Sequence, residues 1–253
     1  MEQALIHRVL LSIILLLAPV QTQQIVVNTP APVSGSTSFT IVERLSIGQA
    51  SCSSGLTRTF GTATTAGEGI FIYYFAGLAG GAVTISDSGS ESYTKDWELT
   101  SVGSHAAIGF ARVLGSAAGI TFITITGSGD GDCFFVVEHV KRSSGTWSRD
   151  QLGAASATGV ATPWQSPAVT TTAASEILFG GSAAYEQSAG SCVMSTSSPW
   201  TGTAVTDGAN GNALIMMDQL VSSVQTGIRA TGSTSTCTTL GGAGNYPGIV
   251  TFE

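Results

Sequence analysis

Val83-Thr84-Ile85-Ser86 alternates between apolar and hydroxyl-bearing side chains. Successive side chains of a β-strand point to opposite faces, so this alternation is typical of a strand with one buried face. Short apolar runs continue on both sides of it, and Gly, Ser, Asp and Asn, the residues that tolerate turn geometry, separate them. The pattern predicts an all-β protein.

The strand-like runs lie roughly ten residues apart, a spacing typical of sandwiches and barrels. No amphipathic helical stretch lies between them, which argues against a βαβ fold, and no repeat of fixed period is visible. We therefore predict one two-sheet antiparallel β-sandwich, jelly-roll-like, over residues 39–253. The predicted strands are Phe39–Leu45, Thr57–Thr62, Ile70–Ala76, Val83–Ser86, Tyr93–Leu99, His105–Val113, Ile120–Thr126, Phe134–Val140, Glu176–Gly180, Ala213–Met217 and Gly248–Phe252.

The composition indicates what kind of surface the protein has. Charged residues are only 10% of the 253 residues, against 43% hydrophobic residues, so Ser, Thr, Gly and Ala must cover much of the surface. Such surfaces suit extracellular sandwiches and fibre-like assemblies. The net charge of −7 and the nine scattered basic residues argue against a nucleic-acid partner, which needs clustered Lys and Arg. An anionic membrane surface is disfavoured for the same reason.

The N-terminus has the pattern of a secretory signal peptide over residues 1–22. His7 and Arg8 form a weakly basic start, and the apolar run Val9–Ala18 is too short to span a bilayer as a helix. A short buried core helix is the alternative. Residues 23–38 contain Pro and Gly and are predicted to be a linker. We therefore expect a secreted protein, extracellular or periplasmic, with no membrane span after signal cleavage.

The cysteine count is even, and in an oxidising compartment it allows two disulfides in any of three pairings. No two cysteines form a C-x-x-C pair, so zinc and thioredoxin-like sites have little support. Four reduced, buried thiols are the alternative. The candidate disulfide residues are Cys52, Cys133, Cys192 and Cys237.

Phe134-Phe135-Val136-Val137 is apolar on both strand faces. A sandwich strand with a solvated face should alternate, so something must cover the outer face of this one. We expect that cover to be either the segment Lys141–Pro167, which follows it, or another subunit. Glu138 comes next, and a buried carboxylate needs a partner. We expect a structural ion pair, for which Arg112 is a candidate partner, or a hydrogen-bonded carboxyl, and a catalytic role is the alternative.

Two connections, Lys141–Pro167 and Gln187–Gly211, carry little strand signal, and loops of that length are uncommon unless functional. They hold three of the four tryptophans, whose flat faces could stack on sugar rings while nearby polar groups bind hydroxyls. The alternative is that the tryptophans close the open ends of the sandwich. The predicted ligand-binding residues are Trp147, Arg149, Asp150, Trp164 and Trp200.

Calcium is the one cofactor that the acidic residues could hold. Asp130 and Asp132 lie in an oxygen-rich stretch, as do Asp87 and Glu91, and calcium takes several oxygen ligands from flexible loops. Neither stretch has the full EF-hand spacing, and Asp-Gly is also an ordinary hairpin turn. No cofactor is expected if these are turns.

Candidate catalytic groups are few. There is no G-x-S-x-G motif, and His105 and His139 both lie in strand-like runs, where a structural histidine is the simpler interpretation. Asp96 and Glu98 are two apart and so share a strand face, with Trp97 on the other. A sandwich glycosidase would place the indole beside its carboxylates, and its E-x-D-x-x-E pattern is absent.

Several segments together carry a resemblance to a known class of domain. They are Val83–Asp87 followed by Tyr93-Thr94, Ala118–Ile125, Val137-Glu138-His139 with Ser144-Gly145, Val169–Thr172 with Ser175–Leu178, and Gly248–Phe252. In these segments the chain resembles a β-sandwich domain of secreted bacterial proteins, with concanavalin-like or immunoglobulin-like jelly-roll architecture. It departs after Asp87, where such domains tend to have Gly-Asn and this chain has Ser90-Glu91. The resemblance implies a fold and no single activity.

These observations favour an extracellular, non-catalytic binding or adhesion module whose ligand is a glycan or another cell-surface polymer. One alternative is a structural subunit of a surface layer or extracellular fibre, which would self-associate. A second alternative is a glycoside hydrolase of concanavalin-like fold.

Overall fold

The computed structural model describes residues 37–49, 51–77, 82–102, 106–129, 132–154, 163–186, 192–206, 212–235 and 240–253. These stretches form seventeen β-strands and contain no helix, so they hold none that could cross a membrane. The prediction of an all-β sandwich is confirmed, and the described strands form four sheets where two were expected. The predicted signal peptide and all but the last two residues of the predicted linker lie outside the described residues.

The first eight strands are β1 (Phe39–Gln49), β2 (Leu56–Thr59), β3 (Gly69–Gly77), β4 (Thr84–Asp87), β5 (Thr94–Val102), β6 (Ala106–Val113), β7 (Phe122–Thr126) and β8 (Cys133–Arg142). They form a five-stranded sheet of order β1-β8-β3-β6-β5 and a three-stranded sheet of order β2-β7-β4. All neighbours within these two sheets are antiparallel.

The remaining strands are β9 (Arg149–Ala154), β10 (Trp164–Gln165), β11 (Glu176–Glu186), β12 (Val193–Thr196), β13 (Thr201–Thr206), β14 (Ala213–Val221), β15 (Thr231–Ser235), β16 (Leu240–Asn245) and β17 (Gly248–Phe252). The large sheet has the order β13-β14-β11-β17-β9, and β16 also pairs with β11. A three-stranded sheet has the order β10-β15-β12. All of these pairings are antiparallel too.

The four sheets stack as four layers. The two large sheets face each other across a central core, in which Phe71 and Phe179 are buried. Sheet β2-β7-β4 covers the other face of the first large sheet, and Ile72 and Ile123 meet in this first outer core. Sheet β10-β15-β12 covers the other face of the second large sheet, and Trp164 fills this second outer core. Both large sheets are therefore buried on both faces.

This layering explains the doubly apolar strand β8. Phe134 and Val136 point into the central core, whereas Phe135 and Val137 point into the first outer core. The expectation of a covered outer face is correct, but the expected cover is wrong. It is neither the segment Lys141–Pro167 nor another subunit, because strands β2, β4 and β7 of the same half lie there.

The two halves of the sandwich repeat one topology. Strands β1, β8, β3, β6 and β5 occupy the same order in the first large sheet as β9, β17, β11, β14 and β13 in the second. Strands β2, β7 and β4 correspond in the same way to β10, β15 and β12. Every described strand pairing stays within residues 39–142 or within residues 149–252. The chain is thus two topologically equivalent units in tandem, with β16 as an addition to the second.

Local details repeat along with the topology. The equivalent edge strands β1 and β9 are both irregular in register near their beginnings. Glu68 and Glu176, just before or at the start of β3 and β11, each accept a hydrogen bond from the backbone N–H three residues earlier, at 2.6 and 2.9 Å. Phe71 and Phe179 follow three residues after these acids and stack on each other with ring centroids 4.2 Å apart. The halves therefore meet through equivalent residues.

The two segments expected to lack strands do contain them. Lys141–Pro167 includes β9 and β10, and Gln187–Gly211 includes β12 and β13. Gly153 is the one buried residue of the six in β9, one of the four residues in β12 is buried, and none in β13 is. Strands at a sheet edge or in a thin outer sheet need few apolar residues, so they leave little alternation in the sequence.

The disulfide prediction is confirmed for one pair. Cys52 and Cys133 are bonded across a sequence separation of 81, with Cα atoms 5.1 Å apart, and both are fully buried. The bond joins the residues before β2 to the first residue of β8, and so ties the outer sheet to the large sheet. Cys192 is buried and also disulfide-bonded, whereas Cys237 lies outside the described residues.

Candidate functional site

Two of the three predicted stacking tryptophans lie inside the protein. Trp164 is 1% exposed and Trp200 is 5% exposed, and both pack in the second outer core. The indole Nε1 of Trp200 donates to the Arg229 carbonyl at 3.1 Å. Gly232 makes room for Trp164, because a Cβ at that position would lie 2.4 Å from the indole ring. Their ring faces are occupied by neighbouring side chains.

Trp147 lies elsewhere, at the rim of the central core. Its ring centroid is 5.5 Å from that of Phe39 and 5.3 Å from that of Phe71, and its Nε1 donates to the Gly67 carbonyl at 2.9 Å. The three tryptophans therefore do not share one open surface. Trp164 and Trp200 fill the second outer core and Trp147 lies at the rim of the central core, so all three pack within the sandwich.

Fluorescence quenching checks this arrangement. We expect acrylamide to reach half-buried Trp147 and to leave the other three indoles largely shielded, because those three are at most 8% exposed. Replacing Trp147 with Phe should remove most of the quenchable emission. Equal quenching of the wild type and the Trp147→Phe variant would contradict the described packing.

The two polar residues predicted beside the tryptophans serve the fold. Arg149 donates to Asp96 Oδ1 at 2.8 Å. Asp150 accepts bonds from the backbone N–H and the hydroxyl of Thr172, both at 2.7 Å, and from Gln151 at 2.9 Å. Partial burial raises the pKa of Asp150, but these hydrogen bonds outweigh it and hold the pKa below its usual value. Asp150 thus fixes the segment before β11.

The predicted calcium ligands are not gathered into one site in the described residues. Asp132 is buried and accepts a bond from Asn212 Nδ2 at 2.5 Å, and Asp130 lies outside the described residues. Asp87 accepts three bonds from its own turn, which uses much of its capacity as a ligand. In the described stretches, no three His, Cys, Asp or Glu side chains lie together as metal ligands would.

Glu138 has an ion-pair partner, but not the expected one. Arg44 Nε donates to Glu138 Oε1 at 2.7 Å, and the same guanidinium also contacts Asp218 of β14 across the central core. The expected partner, Arg112, instead donates to Asp96 Oδ2 at 2.8 Å. Strand order decides this, because β1 is the direct neighbour of β8 whereas β6 is separated from it by β3.

The expectation that Asp96 and Glu98 share one face is wrong. A register irregularity between Lys95 and Trp97 interrupts the alternation. Asp96 is buried against two arginines, whereas Glu98 accepts from Tyr74 on the side of the first outer core. No pair of acids of the glycosidase kind arises from this strand.

His139 has the structural role expected of it. It is fully buried, and its Nε2 lies 2.5 Å from Glu68 Oε2, a carboxylate that also receives the Thr65 N–H. His105 lies outside the described residues. The His139–Glu68 pair fixes β8 to the residues before β3.

An open groove with a volume of about 380 Å³ lies between β4 and the chain that leads into β5. It combines hydroxyls, an aromatic ring and charges of both signs. Its lining residues are Val83, Thr84, Ile85, Glu91, Ser92, Tyr93 and Lys95.

Lys95 is the principal charge in the groove. Its Nζ donates to the Val83 carbonyl at 2.8 Å and to Glu98 Oε1 at 2.6 Å. Tyr74 donates to the same Glu98 oxygen at 2.7 Å. An ammonium has three N–H donors, and these two hydrogen bonds use two of them. Because the charge is already balanced by Glu98, the site suits an uncharged ligand.

The turn after β4 fixes the wall of the groove. Asp87 Oδ1 accepts from the N–H of Gly89 at 2.7 Å and of Glu91 at 3.2 Å, and Oδ2 accepts from the Tyr93 hydroxyl at 2.8 Å. Burial, followed by the bond to Asp87, raises the pKa of Tyr93 far above its usual value, so its hydroxyl stays protonated. Ser90 adopts a left-handed φ of 62°, which is uncommon outside glycine.

Sequence reasoning missed this groove, although part of its signal was visible. Tyr93 and Lys95 are two apart, and Lys95 is one of only two lysines in the chain. The departure from the Gly-Asn pattern at Ser90-Glu91 marks the same turn. The likeness to concanavalin-like or immunoglobulin-like domains of secreted bacterial proteins stays a prediction. No protein-family model, no curated protein and no solved structure matches this chain.

Proposed function

We propose that this protein is an extracellular, non-catalytic binding module whose ligand is a carbohydrate and whose site is the groove beside β4. The observation that most supports the proposal is that Tyr93, Lys95 and Thr84 line one open groove, where they combine an aromatic ring, an ammonium and a hydroxyl.

The chemistry of sugars fits these groups. A sugar ring presents an apolar C–H face and a rim of hydroxyls, and binding sites commonly pair an aromatic surface with a few fixed polar groups. Tyr93 is half-buried and held by Asp87, so it is ordered before a ligand arrives. Preordered groups lose less entropy on binding. The paired charges of Lys95 and Glu98 favour a neutral sugar over an anionic one.

The arrangement of acids favours binding over hydrolysis. A glycosidase needs two carboxyl groups facing the same bound sugar. Among the described residues that line the groove, Glu91 is the one acid, and it accepts the backbone N–H of Ala117 at 2.7 Å. Glu138, Asp96 and Asp150 are each bonded within the fold.

A glycan array of neutral and acidic oligosaccharides, probed with the mature protein, tests the proposal. We expect binding to neutral glycans, and we expect Lys95→Met to weaken it roughly tenfold, since a methionine keeps the aliphatic stem and removes the donors. The matched control is Lys141→Met, which changes the other lysine, on the exposed end of β8, and should leave affinity unchanged.

Three results would overturn the proposal, and the third is turnover of an oligosaccharide. One is the absence of glycan binding, and concentration-dependent assembly in its place would support the structural-subunit alternative. The second is binding that Lys95→Met and Lys141→Met affect equally. Turnover of an oligosaccharide would support the hydrolase alternative.

A further inference from the structure

The outer face of sheet β2-β7-β4 carries hydroxyl groups on all three strands. Leu56, Ile123 and Ile125 point inward and are buried in the first outer core, so the positions between them face solvent. The outward positions are Thr57 and Thr59 of β2, Phe122, Thr124 and Thr126 of β7, and Thr84 and Ser86 of β4.

These outward side chains are in register. Thr57, Thr124 and Ser86 form one row across the three strands, and the hydroxyls of Thr57 and Thr124 lie 2.7 Å apart. Threonine is stiff at χ1, which keeps the row ordered. None of the outward positions carries a charge, and Arg58 belongs to the opposite side of β2 because it pairs with Ile123. Apart from Phe122, the outward side chains of this face carry hydroxyls, and none of them is charged.

The second half presents an equivalent face. Strands β12 and β15 correspond to β4 and β7, and Met194 and Gly232 point inward between the exposed positions. Ser195 pairs with Ser233, as Ser86 pairs with Thr124 in the first half, and the hydroxyls of Ser195 and Ser233 lie 2.7 Å apart. The neighbouring outward pair, Val193 and Ser235, is also uncharged.

The two faces are the outermost surfaces of the four layers and point away from each other. Packed sheets are about 10 Å apart, so three spacings place the faces about 30 Å apart. The central core and both outer cores lie between them. The two faces are therefore separate surfaces on opposite sides of the protein.

We infer that the protein is bivalent, with each face a docking surface for a chain of neutral polysaccharide, so that one molecule bridges two polymer chains. This inference rests on the proposed carbohydrate binding, and Thr84 belongs both to the groove and to the first face. The net charge of −7 and the absence of basic side chains at the described outward positions disfavour an anionic polymer. A neutral chain of hydroxyls matches the hydroxyl rows.

Agglutination of polysaccharide-coated beads tests bivalence. The wild-type protein should bind and agglutinate beads coated with dextran or mannan, but not beads coated with polygalacturonate. Ser86→Lys and Ser195→Lys place the same charge at equivalent exposed positions of the two faces. Each single variant should still bind beads but agglutinate at least tenfold less, since one blocked face removes the bridge. The control Ala204→Lys, on exposed β13, should agglutinate normally.

The outcomes separate the two proposals. If Ser195→Lys agglutinates like the wild type, bivalence is wrong while the groove proposal stands. If the wild type binds neither the beads nor the glycan array, the proposed function fails and bivalence with it. If sedimentation velocity shows that the free protein is a dimer at the working concentration, two copies rather than two faces explain the bridge, and the inference is overturned.

Discussion

Replacing Arg44 with Met should destabilise the protein by about 3–5 kcal/mol at pH 8, the cost of leaving a buried charge without its partner. Arg44 is the shared cation between Glu138 of β8 and Asp218 of β14, and both acids are buried. Methionine retains the packing of the aliphatic stem but leaves two carboxylates unpaired between the large sheets. Urea unfolding followed by fluorescence measures the change.

The destabilisation caused by Arg44→Met should become smaller as the pH falls. Burial raises the pKa of Glu138 to about 7 even though Arg44 lowers it, against an ordinary value of 4.5. The folded state therefore binds more protons than the unfolded state between these two values, so wild-type stability decreases as the pH rises through that window. Without Arg44 the pKa rises further, because the group that lowers it is gone. The variant should thus be much closer to the wild type at pH 5 than at pH 8.

Two controls make this result specific. The triple variant Arg44→Met, Glu138→Gln, Asp218→Asn removes all three charges of this cluster and should recover part of the stability. Arg58→Met removes an exposed arginine of β2 and should change stability by less than about 0.5 kcal/mol. A loss for Arg44→Met that is equally large at pH 5 and pH 8 would mean that lost packing, and not charge, explains it.

Replacing Cys52 and Cys133 together with Ala should cost about 4 kcal/mol. The disulfide closes a loop between two residues that are 81 positions apart. Breaking it increases the conformational entropy of the unfolded chain, and the increase is large because the loop is long. Both sulfurs are buried, so Ala is a better replacement than Ser, whose hydroxyl would need a partner. Urea unfolding under non-reducing conditions measures the change.

The same experiment shows where the effect comes from. If the disulfide acts by constraining the unfolded chain, its removal should raise the m-value, which is the slope of the unfolding free energy against urea concentration. A less compact unfolded chain exposes more surface. The single variants Cys52→Ala and Cys133→Ala should match the double variant, because either one opens the same loop. A double variant within about 1 kcal/mol of the wild type would contradict a structural role for the bond.

The strands that the sequence predicted best are those buried on both faces or alternating cleanly. Strand β17 begins and ends where expected, and β3, β6 and β8 differ by only a few residues, because their side chains meet an apolar core. Strands β9, β12 and β13 were missed, since edge and outer strands are chosen by backbone pairing and not by burial.

The tandem repeat left almost no trace in the sequence. Ile70-Phe71-Ile72 corresponds to Leu178-Phe179-Gly180, and only the phenylalanine is shared. Topology tolerates such divergence because many apolar residues can fill a core of given volume.

The candidate site depended on contacts that a sequence cannot supply. The segments that hold the tryptophans lacked strand signal, which suggested exposed side chains, but an outer sheet buries Trp164 and Trp200, and Trp147 packs at the rim of the central core. The groove forms only because β4 pairs with β7, which positions it beside the chain that enters β5. The partner of Glu138 was likewise decided by which strand lies next to β8.

The confinement of strand pairing to each half has a consequence for how the chain matures. Residues 39–142 can complete both of their sheets before residues 149–252 have left the ribosome, because none of the described hydrogen-bonded ladders joins the two halves. The first half can then fold without a strand from the second half. Only the phenylalanine-rich face of its large sheet, which later forms the central core, stays exposed to solvent. The nascent polypeptide is most prone to aggregation while this face is exposed. That period ends when the second half folds and packs against the first.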